Sequence, residues 1–205
     1  MEKDYLKDIS EIRSMMEKSS RFISLSGLSG VMAGIYSIIG ALVASHLIYN
    51  SYDFLNISFI ERQVRVNQTY LLLDALAVIL LTVITGIYFT TKKAKQNKVK
   101  TWDESAKKVI INLLIPLIVG GIFVLILYTR GFISLIAPST LIFYGLGLIN
   151  ASKYTFRDIR YLGLSQVALG LIAASSIGNG LLFWAIGFGL LHIVYGGLMY
   201  FKYER

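Results

Sequence analysis

Asp74 is the only carboxylate inside a long apolar run of this sequence, and His46 is one of two histidines. A carboxylate in such a run is costly and turns toward a partner, a cavity or the water boundary. Asp74 lies four residues past Tyr70, and His46 three residues before Tyr49. If their two helices are neighbours, His46 and Asp74 pair as an outward-facing proton- or cation-responsive site. The competing reading makes Asp74 a shallow residue that reaches interfacial water.

A second polar set comprises Asn112, Asn150, Gln166, His192 and Tyr195. Trp184, Phe188, His192, Tyr195 and Met199 follow one side of a helix, which makes His192 either a ligand-site residue or a packed structural one. Pro116 has no N–H to give the carbonyl of Asn112, so that carbonyl becomes a free acceptor. Freed carbonyls beside polar side chains build binding sites in membrane bundles, and they also accompany ordinary bends.

Catalysis has one weak candidate. "GLSG", Gly27 to Gly30, resembles the GxSG around the nucleophile of rhomboid proteases, with His192 on the last apolar run as base. The motif sits on the first run rather than the fourth, and the His/Asn pair that would stabilise an oxyanion is absent. A nucleophile and base without such donors make a poor hydrolase. Two histidines on different runs, with no cysteine, make no metal set. No phosphate-binding loop or dinucleotide fingerprint is present, and no cofactor is expected.

The elements that must position these groups are apolar. Of 205 residues, 55% are hydrophobic, and several uncharged runs approach the ~20 residues that cross a hydrocarbon layer of ~30 Å. The predicted crossings are 22–49, 70–91, 109–128, 132–150, 161–177 and 181–201. Before them, Tyr5, Ile9, Ile12 and Met16 mark one face of an amphipathic helix over residues 1–21. It either packs on its own bundle or membrane, or docks a protein partner. Capping-box spacing occurs at Ser58/Glu61, Thr101/Glu104 and Thr155/Asp158.

The fold class expected is all-α: a polytopic integral membrane protein with six transmembrane helices in one bundle (residues 22–205) plus the N-terminal amphipathic helix. Charge sets the orientation. With the amino terminus inside, 17 of the 20 Lys and Arg fall on the inner side, and only Arg62, Arg65 and Arg130 fall outside. Both termini are then cytoplasmic. The net charge of +8 therefore reports membrane orientation, and no nucleic-acid motif accompanies it. Lys92, Lys93, Lys95, Lys98 and Lys100 either anchor this orientation or bind anionic lipid.

Small residues form the expected packing faces. Gly27, Gly30, Gly34, Ser37, Ala41 and Ala44 make one stripe, and Gly163, Gln166, Gly170 and Ala173 make another. In lipid, close backbone approach drives helix association, and small residues permit it. "GLSGVMAG" and "GLSQVALG" share five of eight positions, through parallel duplication or through chance between Gly- and Leu-rich helices.

"GLSGVMAGIY", "NASKYTFRDIRYLGLS" and "HIVYGGLMYFKYER" together give the chain a resemblance to an uncharacterised family of small six-helix bacterial inner-membrane proteins. The resemblance covers nearly the whole chain. It implies the fold and an inner-membrane address, and it transfers no catalytic residue. The expected function is non-enzymatic: a membrane-embedded sensor or regulatory component, with a cytoplasmic partner or a second copy engaged through the N-terminal helix. The alternatives are a small transporter or channel and, more distantly, a rhomboid-like hydrolase.

Overall fold

The computed structural model describes residues 25–49, 57–97, 103–176 and 178–205, all in helices and short connections. The predicted amphipathic helix over residues 1–21 lies outside them. The helices are α1 (Gly27–Tyr49), α2 (Ile57–Val66), α3 (Gln68–Gln96), α4 (Glu104–Arg130), α5 (Ile136–Ala151), α6 (Asp158–Ser175) and α7 (Gly180–Tyr203). Single 3₁₀ turns, Ile133–Leu135 and Ser152–Tyr154, flank α5. α7 changes pitch along its length: it is π-helical at Ala185–Leu191 and α-helical on either side.

Among the described residues, five helical stretches are long and apolar enough to cross a membrane: α1, α3, α4, Ile133–Tyr154 around α5, and α7. α6 is the exception among the six expected. Its 18 residues begin with Asp158 and Arg160 and carry Gln166 mid-way, which dilutes its apolar character.

Local chemistry explains several boundaries. Asp103 caps α4, its carboxylate accepting from the Ala106 N–H at 2.7 Å. The predicted cap residue Thr101 lies outside the described residues. At α6 the position before the helix is Arg157, which makes no side-chain cap bond. α4 ends in a Schellman motif. Gly131 adopts φ +83°, while Gly131 N–H donates to Tyr128 and Phe132 N–H to Leu127. α2 and α3 are nearly continuous and break only at Asn67.

α1 is flanked by α3 on one side and α7 on the other. α5 pairs with α6 and with α4, and α7 joins the two sets. The outermost helices bury least: none of the most apolar stretch of α3 is buried and 6% of that of α4, against 33% for α1. Leu148, Ile159, Leu162 and Met199 form a buried cluster where α5, α6 and α7 meet.

The glycine stripes become backbone contacts. A Cβ on Gly27 would lie 2.4 Å from the carbonyl oxygen of Gly196 and from the Tyr200 nitrogen, and one on Gly34 would lie 2.6 Å from the Gly189 carbonyl. The α1 stripe therefore faces α7, with Gly30 beside Gly196. The α6 stripe faces α5 instead: Gly163 lies against the Gly145 carbonyl and Gly170 against that of Pro138. The two similar stretches use the same chemistry against different partners.

The helix ends meet in two sets. At one, Lys93 Nζ donates to the Leu25 carbonyl at 2.8 Å and pairs with Glu204 at 3.3 Å. Glu204 also accepts from the Ser26 hydroxyl at 3.1 Å and from Gly27 N–H. Lys93 stands 5.5 Å from the Phe156 ring, and Lys202 pairs with Asp158. This set joins the start of α1, the ends of α3 and α7, and the start of α6. At the other, Tyr49 donates to the Gly178 carbonyl at 3.2 Å, Asn67 to the Leu47 carbonyl at 2.9 Å, and Tyr128 to Gln68.

Candidate functional site

The most enclosed polar cluster is built by the π-helical stretch of α7. Gln166 of α6 is fully buried, and His192 is 6% exposed. The Gln166 Nε2 donates to the Gly187 carbonyl at 2.7 Å, and His192 Nδ1 lies 3.0 Å from the same oxygen. A carbonyl only accepts, so Nδ1 carries the proton. Nε2 then accepts from the Tyr144 hydroxyl at 2.8 Å. The 3.4 Å approach of Gln166 Nε2 to His192 Nδ1 is two donors converging on one acceptor rather than a bond.

One buried acceptor here is unpartnered. Gln166 Oε1 has no hydrogen-bond partner among the described residues. It lies 2.6 Å from where a Cβ on Gly187 would be, and Leu141 and Leu169 close the same spot. Gly187 is required there by space. Rings wall the cluster: Tyr144 and Phe188 are 5.0 Å apart, Tyr144 and His192 5.4 Å, Trp184 and Phe188 5.0 Å. A π turn displaces carbonyls and side chains from α-helical register, and here it aims Gly187 and His192 at α5 and α6. The arrangement holds a neutral imidazole with both nitrogens engaged. It has no free base and no open valence for a metal. Among the described residues, no three His, Cys, Asp or Glu gather where a metal ion could sit.

Of the polar set expected from sequence, the structure joins Gln166 with His192 around Gly187 and, separately, Asn150 with Asn112. Asn150 donates to the Asn112 carbonyl at 3.0 Å, the one deprived of its helical donor by Pro116. The Asn112 amide donates within its own helix to Lys108 at 2.8 Å. Tyr195 packs against the buried apolar cluster of Leu148 and Met199. Sequence reasoning missed Tyr144 and Gly187. A hydroxyl within the apolar run "LIFYGLGL" was the available signal for Tyr144.

His46 and Asp74 are not joined. His46 is exposed. The Asp74 carboxylate lies instead against Gly40, its oxygens 3.4 and 3.5 Å from where a Cβ on Gly40 would be. The reason is register. Asn67 meets Leu47, and Asp74 meets Gly40, each seven residues further along its own helix. That antiparallel alignment carries Asp74 past His46 toward the middle of α1.

Ser29 and His192 are not a catalytic pair either. The Ser29 hydroxyl donates to the Ser26 carbonyl at 2.6 Å, while the His192 nitrogens face Tyr144 and Gly187. Among the lysines considered for lipid, Lys92 and Lys95 are exposed, but Lys93 is 7% exposed and spends its charge on Glu204 and Leu25. Lys98 and Lys100 lie outside the described residues.

No family model, curated protein or solved structure matches the chain.

Proposed function

We propose that this chain is a six-span protein of the bacterial inner membrane, both termini cytoplasmic, acting as a non-enzymatic regulatory component that engages a partner at its inner face. The helices run alternately between the two sets of ends, which supports reading α6 as a sixth crossing despite its polar start. Its charged first turn would sit at the inner boundary, with Asp158 beside Lys202. Sheltered by α5 and α7, its glutamine need not face lipid.

The observation that carries the non-enzymatic reading is that the candidate catalytic groups are engaged within the bundle, both nitrogens of His192 included. His192, Tyr144 and Gln166 bond one another or the Gly187 backbone, and Ser29 bonds its own turn. The same closure argues against a transport path through that cluster. The charge concentrated at the inner boundary then supplies the surface for a partner or for anionic lipid, with Lys92 and Lys95 available and Lys93 not.

The chain has no cysteine, so single-cysteine variants test the threading directly. Gln96→Cys and Lys153→Cys should label from the cytoplasm, and Asn56→Cys and Asn179→Cys from the other side. Labelling of positions 153 and 179 from one face would remove α6 as a crossing. For the regulatory role, deletion of residues 2 to 18 should leave a folded bundle that no longer retains its partner in a pull-down. An unchanged pull-down counts against it.

A further inference from the structure

We propose that Asp74 is a reversible proton site set in the seam between α1 and α3, with Gly40 as the notch that receives it. Gly40 is nine residues before Tyr49, about 14 Å along α1 at helical rise, and thirteen after Gly27, about 20 Å. Asp74 itself is six residues past Gln68, about 9 Å along α3, so the carboxyl stands about 9–14 Å in from the nearer ends of the two helices, inside a ~30 Å apolar layer and beyond the reach of its short side chain. Around it on α3, Leu72, Leu73 and Leu76 are exposed and would face lipid.

No described group compensates a charge there. The titratable and charged groups of the elements against α3 are Tyr36, His46 and Tyr49 of α1, Glu61, Arg62 and Arg65 of α2, and Tyr128 of α4, which bonds Gln68. On α3 itself they are Tyr70, Tyr88, Lys92, Lys93 and Lys95. None of them forms a hydrogen bond or ion pair with Asp74 among the described residues; Lys93, the buried cation of α3, is held at the helix end by Glu204 and Leu25. An unpaired carboxylate at that depth is expensive, whereas the neutral acid is tolerated. Gly40 lets α3 come this close, since a Cβ would meet the Val78 side chain at 2.6 Å, while the carboxyl oxygens at 3.4 and 3.5 Å would stand at ordinary contact.

The proton has a mechanical consequence. α3 packs mainly on α1, and its own apolar stretch buries none of its residues elsewhere in the bundle. Ionising Asp74 introduces a bare charge into the seam that holds α3, so proton release loosens α3 from α1. Uptake restores the contact.

The test uses the full-length protein in liposomes and needs no partner, so its failure would leave the regulatory reading standing. A membrane-permeant carbodiimide reacts only with the protonated carboxyl. The acid's oxygen adds to the central carbon, its proton passes to nitrogen, and the adduct rearranges to a stable N-acylurea. Peptide mapping should find the adduct on Asp74, falling about tenfold per pH unit above its midpoint, as for one titrating proton. The ion-paired Asp158 should stay unmodified at neutral pH. Gly40→Ala should force Val78 aside, open the seam around the carboxyl and move the midpoint measurably downward. Mapping the wild-type protein does not depend on any variant folding. An unlabelled Asp74 at every pH, or one that reacts equally with a water-soluble carbodiimide and an amine, would overturn the proposal.

Discussion

The Glu204 carboxylate accepts the backbone N–H of Gly27, which ties the final turn of α7 to the first residue of α1. The helix N-terminus carries partial positive charge, so a carboxylate there is well placed. Lys93 supplies the full countercharge, and both side chains are about one-tenth exposed.

Removing one partner of this pair should cost more than removing both. Lys93→Met leaves Glu204 enclosed without its cation and should destabilise the bundle by about 3 kcal/mol. Adding Glu204→Gln should recover much of that loss, because the glutamine can still bond Ser26 or Gly27. A double-mutant cycle of unfolding in bicelles measures the coupling. Additive losses would mean that the pair is not coupled.

The adjacent glycines of α7 should behave oppositely. A Cβ on Gly196 would stand 2.6 Å from the Val31 nitrogen and 2.7 Å from the Gly27 carbonyl, and both are backbone atoms that cannot turn aside. Gly196→Ala should therefore part α1 from α7 and cost about 2 kcal/mol. Gly197 has nothing within 4 Å of that position. Gly197→Ala should stay within about 0.5 kcal/mol of wild type in the same unfolding assay.

Within the buried cluster, Tyr144→Phe should hurt more than Gln166→Leu. Losing the Tyr144 hydroxyl leaves His192 Nε2 without its donor, at a cost of about 1–2 kcal/mol. Losing the Gln166 amide also removes the unpartnered Oε1, and Gly187 keeps its bond from His192. Thermal midpoints of the two variants give the order.

Acid should weaken the contact between α6 and the end of α7. Burial pushes the Asp158 carboxyl up, but bonds from the Tyr203 hydroxyl at 2.6 Å and from Lys202 at 3.1 Å outweigh it. The net result is a carboxyl below its ordinary range. A depressed carboxylate contributes its stability above the ordinary carboxylate range and loses it as pH falls through the lowered value. The pair is largely exposed, so the effect is small and diminishes with salt. Asp158→Asn should flatten that part of the stability–pH curve relative to wild type.

What was legible in the sequence was what one helix decides alone. The Gly27–Gly30–Gly34 face follows from helical pitch, and the freed Asn112 carbonyl from the chemistry of Pro116. What was not legible depends on which helices adjoin and in what register. His46 and Asp74 looked level when each was measured from its nearest tyrosine. The alignment of α1 with α3 moved Asp74 to Gly40. Lys93 was indistinguishable from Lys92 and Lys95 in a lysine run until Glu204, far away in the chain, met it. The π turn shifts register without a marker residue, so the Tyr144–His192–Gly187 arrangement was out of reach.

The glycine seam between α1 and α7 unites the earliest and latest of the described helices. During synthesis α1 emerges long before its mate exists, and its notched flank has no α7 to close on until translation has passed Gly196.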